Sequence, residues 1–127
     1  MSGYRVVRNA ETGQVILPRV WWCDSFLCHL KGLMFRAELP IDEGLLFVNG
    51  RESIASSSIH MLFMRFDIGV VWLDSTGRVV DAKLAKVWRP AYAPKSAAQY
   101  YLEANVDVLD RVKIGDVLTF SEMANQT

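Results

Sequence analysis

The sequence is poor in several things that would have announced a function. It has no excess of either charge: 14 Lys and Arg balance 14 Asp and Glu over 127 residues. That balance excludes a general binder of nucleic acid or anionic membrane. With two cysteines it cannot be a disulfide scaffold. No apolar run approaches the roughly 20 residues of a membrane span, and residues 1–8 lack the apolar stretch of a secretory signal. It has no Gly-x-Gly-x-x-Gly motif, no phosphate-binding loop and no Gly-x-Ser-x-Gly elbow. Together these absences point to a cytoplasmic protein with reduced thiols, with no cofactor, no membrane and no bulk nucleic acid as partner.

What is present reads as one β-rich domain over 1–127, with a loose tail from residue 121. Hydrophobic residues make up 51% of the chain, enough for a self-sufficient core. Turn formers between 4–7 and 15–17 predict a starting hairpin. Pro18 then predicts an edge or a break, with a further strand at 19–23 carrying Trp21 and Trp22 on opposite faces. Ser25 is a good N-cap, Phe26, Leu27, Leu30 and Leu33 follow at helical spacing, and Gly32 is a natural C-cap. The spacing predicts a helix over 25–31. Residues 45–48 read as a buried strand, and 49–58 as a polar loop. Residues 59–64 and 68–73 are apolar on both faces and read as central strands. Asp74 to Gly77 signals a turn into an antiparallel partner over 78–88. Residues 99–106 alternate, with Tyr100, Leu102 and Ala104 on one face and Tyr101 and Glu103 on the other. A helical turn at 108–112 and a strand at 117–120 complete the chain. The predicted fold class is β-rich α+β: a small, mostly antiparallel barrel or rolled sheet of about seven strands with one or two short helices.

The chemistry-bearing residues are few. Cys23, Cys28, His29 and His60 are the metal-ligand candidates, but no second Cys or His pair closes a set. Two buried thiols and two unrelated histidines are the favoured reading, with no metal site. Cys28 and His29 diverge on a helix, and the serines near His60 lie in a polar loop, so no nucleophile is assigned. Asp67 and Glu103 sit in or beside apolar strands. The favoured role for each is structural, through an ion pair with Arg36 or Arg65 or through backbone hydrogen bonds. Lys83, Lys86, Arg89 and Lys95 form a basic stretch interleaved with Trp88 and Tyr92. It is either a solvated strand edge or an anion site.

Gly32, Leu33, Met34 and Arg36 spell Gly-Leu-Met-x-Arg after the predicted helix. Glu43-Gly44-Leu45 follows with Leu46 and Phe47. Phe63-Met64 and Asp67 come next, then Ala98 to Glu103 as Ala-x-Tyr-x-Leu-Glu, and finally Gly115-Asp116. In their order these resemble the motifs of domain of unknown function 192, over about 22–120. The chain resembles a divergent branch, with Phe63 where the family has Trp and Arg65-Phe66-Asp67 for its Pro-Leu-Asp. The resemblance implies a compact β-rich fold with a short helix, and no established activity. Read physically, Gly32 caps the helix, Gly44 permits a turn into a strand, and Leu33 and Met34 plug the helix end onto the sheet. Arg36 is expected to pair with Glu103 or Asp67.

Three functions follow. The first is a non-enzymatic binding module using Arg36, Lys86, Trp88, Tyr92 and Tyr101 on a small anionic or apolar ligand or a protein partner. The second is a small hydrolase-like enzyme using His60 with Asp67 or Glu103. The third is a weakly homodimerising structural protein sealed by Trp21 or Trp22, rather than a monomer. The binding module is the expectation carried forward.

Overall fold

The structure, a computed structural model, describes residues 3–34 and 36–122. In chain order it contains β1 (Tyr4–Asn9), β2 (Val15–Cys23), α1 (Phe26–Lys31), β3 (Glu43–Ser53), β4 (Ile68–Leu73), β5 (Val79–Ala85), β6 (Ala98–Ala104), a 3-10 turn (Val106–Asp110) and β7 (Leu118–Glu122). The strands form a seven-stranded sheet in the order β5-β4-β6-β3-β2-β1-β7. Every pairing is antiparallel except β2 with β3. Parallel neighbours need a crossover, and here the crossover carries α1. The two sheet edges bend toward each other. Arg78 bridges Val117, and the Val79 amide donates to the Asp116 carbonyl at 2.7 Å. The result is the β-rich, rolled half-barrel with few short helices that the sequence predicts.

Each face of the sheet carries a core. One gathers Phe47, Val70, Trp72, Tyr101, Leu33, Met61 and Met64. The other gathers Ile16, Leu46, Val71, Leu102, Ala104 and Val108. β4 is buried at all six positions because it packs against both. The alternation along β6 sends Tyr101 to one face and Leu102 and Ala104 to the other, as read from the sequence.

Four local readings are corrected. Pro18 does not break the chain; β2 runs through it. Two residues of β2, Pro18 and Arg19, bulge opposite Val6, and pairing with β3 begins only at Arg19, so no ladder bond requires a Pro18 amide. The polar loop expected at 49–58 begins later, because β3 continues to Ser53 and pairs it with Ala98. Residues 59–64 are not a central strand. Ile59 exchanges backbone hydrogen bonds with Tyr92 at 2.9 and 2.8 Å, and Met61 accepts one from Trp88 at 2.8 Å. The segment is a covering loop whose apolar side chains, Ile59, Met61 and Met64, drop into the first core. An apolar run of that length has the same pattern in a buried loop as in a strand. Finally, Ser121 and Glu122 belong to β7, paired with Val6 and Arg5. The rest of the expected tail, 123–127, lies outside the described residues.

Trp21 and Trp22 are half-buried rather than exposed. Trp21 packs edge-on against Tyr4 at 4.9 Å, and Trp22 against Phe120 at 6.3 Å. Among the described residues, no helix is long and apolar enough to cross a membrane.

Candidate functional site

The first core is not filled completely. A cavity of about 90 Å³ opens between the sheet, the C-terminal end of α1 and the 59–64 loop. The sheet floor comes from alternate residues: Tyr101 and Glu103 of β6, two apart and so on one face, with Phe47 of β3 stacked on Tyr101 at 4.6 Å.

The lid is α1, and its attachment is unusual. A helix of six residues is too short to persist alone, and none of its residues is buried. Its apolar side chains Phe26, Leu27 and Leu30 are 79%, 72% and 56% exposed. Three ties hold it instead. The Ser25 hydroxyl accepts from the Cys28 amide at 3.2 Å. His29 Nε2 lies 3.0 Å from the Val48 carbonyl. A disulfide joins Cys28 to Cys23 at the end of β2. The last overturns the expectation of two buried, reduced thiols, and with it the thiol argument for a cytoplasmic setting. Five residues apart, the two cysteines straddle a strand end and a helix start, which brings their Cα atoms to 5.6 Å.

Gly32 ends the helix at φ 47°, donating to the Cys28 carbonyl at 2.8 Å. A Cβ there would stand 3.3 Å from the Phe47 ring and 3.9 Å from Glu103 Oε1. Leu33 is buried in the core, whereas Met34, read as part of the same plug, is only half-buried and lines the cavity. Gly44 works differently from expected. It lies in β3, not in a turn, and a Cβ on it would fall 2.8 Å from the Glu103 carbonyl oxygen, so its absence lets β3 and β6 close on each other.

Glu103 is the central polar group. It pairs with Leu45 of β3 and Val70 of β4 in the middle of the sheet and is 8% exposed. Among the described residues its carboxyl makes no hydrogen bond and no ion pair, and burial pushes its pKa up to about 8. At neutral pH it is therefore mostly a neutral acid. Burial, and then the Glu103 charge, push the neighbouring Tyr101 phenol well above its ordinary value.

The expected Arg36 pairing does not form among the described residues. Arg36 is exposed and ion-pairs with neither Glu103 nor Asp67. An exposed guanidinium keeps its hydration, so nothing draws it into the core. Asp67 instead accepts from the Val87 amide at 2.9 Å and lies outside the cavity wall. His60 is exposed at the rim; its Nδ1 accepts from the Leu62 amide at 3.3 Å, and it touches no carboxylate. Of the five expected ligand residues only Tyr101 lines the cavity. Lys86 and Tyr92 are tied to each other, the Lys86 amide donating to the Tyr92 hydroxyl at 2.9 Å. Trp88 packs on Phe63 at 5.1 Å. Gly115 and Asp116 form a distant turn before β7, where Asp116 accepts from the Lys113 amide at 2.9 Å.

Sequence reasoning missed His29 and Met61 as wall residues. It also passed over methionine as a polarizable ligand type, although Met34, Met61 and Met64 all reach this cavity. Among the described residues, no group of three or more His, Cys, Asp and Glu is placed to hold a metal ion.

Parts of several motifs, Gly32 to Met34, Phe47, Met64, Tyr101 and Glu103, meet in this cavity, and comparisons with known proteins agree with the motif reading. The profile of DUF192, described as an uncharacterised group, matches residues 6–120. A UPF0127 protein of Thermococcus kodakarensis is 40% identical over 118 residues, covering 91% of this chain and 73% of that protein. One from Pyrococcus furiosus is 36% identical over 117 residues, covering 91% and 97%. A solved structure from Sinorhizobium meliloti, titled a putative transcription regulator, superposes with a TM-score of 0.81 at 22% identity, covering 94% of this chain and 95% of that one. A protein of unknown function from Novosphingobium aromaticivorans gives 0.78 at 20%, covering 93% and 84%. At such identities the two structures speak to the fold alone. The chain belongs to the DUF192 family, whose members named here carry no assigned activity.

Proposed function

We propose that this protein is a small binding module and that its ligand sits in the cavity against Glu103. One observation carries the reading: a carboxyl in the middle of the sheet faces a cavity, and no described residue gives it a partner. Its oxygens open onto the cavity rather than being sealed in the core, since no fully buried side-chain oxygen among the described residues lacks a partner. A ligand that brings a hydrogen bond or a positive charge to Glu103 adds an interaction that no described residue supplies, on the order of 1.5–3 kcal/mol for a hydrogen bond to a charged group. The small volume favours a compact ligand over a nucleotide or a peptide. The arrangement gives the hydrolase alternative little support, since His60 is held by a backbone amide and Asp67 by another. The exposed Trp88 and Phe63 lie on the loops that flank the cavity and offer an apolar rim for a larger ligand.

The test is a thermal-shift series with small amines, small carboxylic acids and metal ions, run on the wild type and on Glu103→Gln. A ligand at 100 times its Kd stabilises the fold by about 2.7 kcal/mol, a shift of several degrees for a chain of this size. The expected result is a shift in the wild type that shrinks in the variant. Shifts of equal size in both proteins, or none in either, would overturn the reading.

A further inference from the structure

We propose that the ligand is a soft monovalent cation of the Cu(I) class, held by the thioether sulfurs of Met34, Met61 and Met64 with His29 as the nitrogen ligand. This rests on the cavity being the binding site. Every methionine among the described residues lines it, and so do both histidines of the chain. Thioethers bind hard divalent ions poorly and Cu(I) or Ag(I) well. The competing sulfur chemistry is closed off, because both cysteines are in the disulfide.

The two histidines are not equivalent. His29 Nε2 lies 3.0 Å from the Val48 carbonyl. A carbonyl only accepts, so that nitrogen carries the proton and, in the neutral ring, Nδ1 keeps its lone pair. Ligating histidines are usually fixed in this way, the second nitrogen donating to a backbone oxygen. His60 Nδ1 already accepts from the Leu62 amide, so in the neutral ring its Nε2 holds the proton and is a donor.

Charge completes the set. Glu103 is more than nine-tenths buried on the same cavity and has no partner among the described residues. A bound monovalent cation favours the ionised carboxylate, whose proton passes to solvent on binding, and the carboxylate and cation together are then neutral in the core. The contrary reading is that three methionines simply fill an irregular gap. The two readings differ in one measurable property, affinity for a soft ion.

Ag(I) is the probe, since it shares the charge and softness of Cu(I) and is not readily oxidised to a divalent ion. It is titrated into the whole chain while the methionine methyl resonances are followed by NMR, and Cu(I) affinity is then measured by competition with a chromogenic chelator. The expected result is one Ag(I) per chain, with shifts at Met34, Met61 and Met64 together. Met64→Leu conserves volume and so keeps the fold. It should lose about tenfold or more in affinity, in the range seen for disturbed metal sites. Zn(II) should bind far more weakly than Ag(I). The proposal is overturned if Ag(I) does not bind, if shifts are confined to Met1 and Met123, if Met64→Leu binds unchanged, or if Zn(II) binds as tightly. Failure here together with a Glu103-dependent thermal shift from an amine or an acid would remove the soft cation and leave the binding module standing.

Discussion

Replacing Glu103 by Gln tests the site at its centre, through the pH dependence of stability. Burial moves the Glu103 carboxyl from an ordinary 4.5 to about 8 in the folded chain. Between these values the folded state keeps a proton that the unfolded state gives up. The sign follows from linkage: stability falls as pH rises, by about 1.4 kcal/mol per pH unit, from near 4.5 until it levels off near 8. At pH 7 the accumulated cost is about 3 kcal/mol, a large part of the 5–15 kcal/mol that holds a typical domain together. Glu103→Gln keeps the shape and cannot ionise, so it lacks this slope. The measurement is urea unfolding of both proteins, free of ligand, at pH 5, 6, 7 and 8. The Gln amide adds donors of its own, which shifts the whole difference by a constant, so the slope is the readout and not the offset. Asp74 titrates below this window and in both proteins, so it cancels. The variant should gain on the wild type steadily from pH 5 to pH 8. A difference that stays flat, or one that grows in favour of the wild type, would mean that Glu103 is ionised and partnered in the folded chain, and the case for a ligand against it would fail.

Three further outcomes follow from the same structure. Reducing Cys23–Cys28, which closes a loop of five or six residues, should cost about 2 kcal/mol by loop entropy; hydrogen exchange should rise first in the α1 amides and leave β4 protected. Asp74 accepts from the Thr76 amide and hydroxyl and from the Arg78 amide. Burial raises its pKa, but these bonds and the Arg78 charge outweigh that and leave it lowered. Asp74→Asn should therefore cost about 1 kcal/mol at neutral pH, and the difference from the wild type should vanish as pH falls below the usual carboxylate range. Gly44→Ala puts a methyl 2.8 Å from the Glu103 carbonyl. It should destabilise the fold by about 1–3 kcal/mol in calorimetry and shift the Glu103 and Tyr101 resonances by NMR, although Gly44 does not line the cavity.

What the sequence disclosed and what it hid divide along a physical line. Local patterns were legible. The Ser25 and Gly32 caps, the Asp74 turn and the alternation of β6 each depend on residues within a few positions of one another. Features that depend on distant partners were not. Pro18 is tolerated because of a bulge opposite β1 and a late start of pairing with β3. Residues 59–64 cover the sheet because the loop after β5 offers them a backbone partner at Tyr92. The disulfide depends on how a strand end and a helix start meet, which spacing alone leaves open.

The cavity shows the same division. Met34 follows the helix, Met64 closes the covering loop, and Glu103 lies in a strand roughly seventy residues from Gly32. Read singly, each has a structural explanation: a plug, an apolar contact, a salt-bridge partner. The fold removes the third, because the Arg36 expected to neutralise Glu103 stays in water. The missing ion pair is what lets these residues be proposed as a site rather than as packing alone. A carboxyl paired with arginine would have made this corner a structural clasp. Left without a partner among the described residues, and sharing a cavity with three methionines, it is the reason we propose a ligand that the chain does not itself supply.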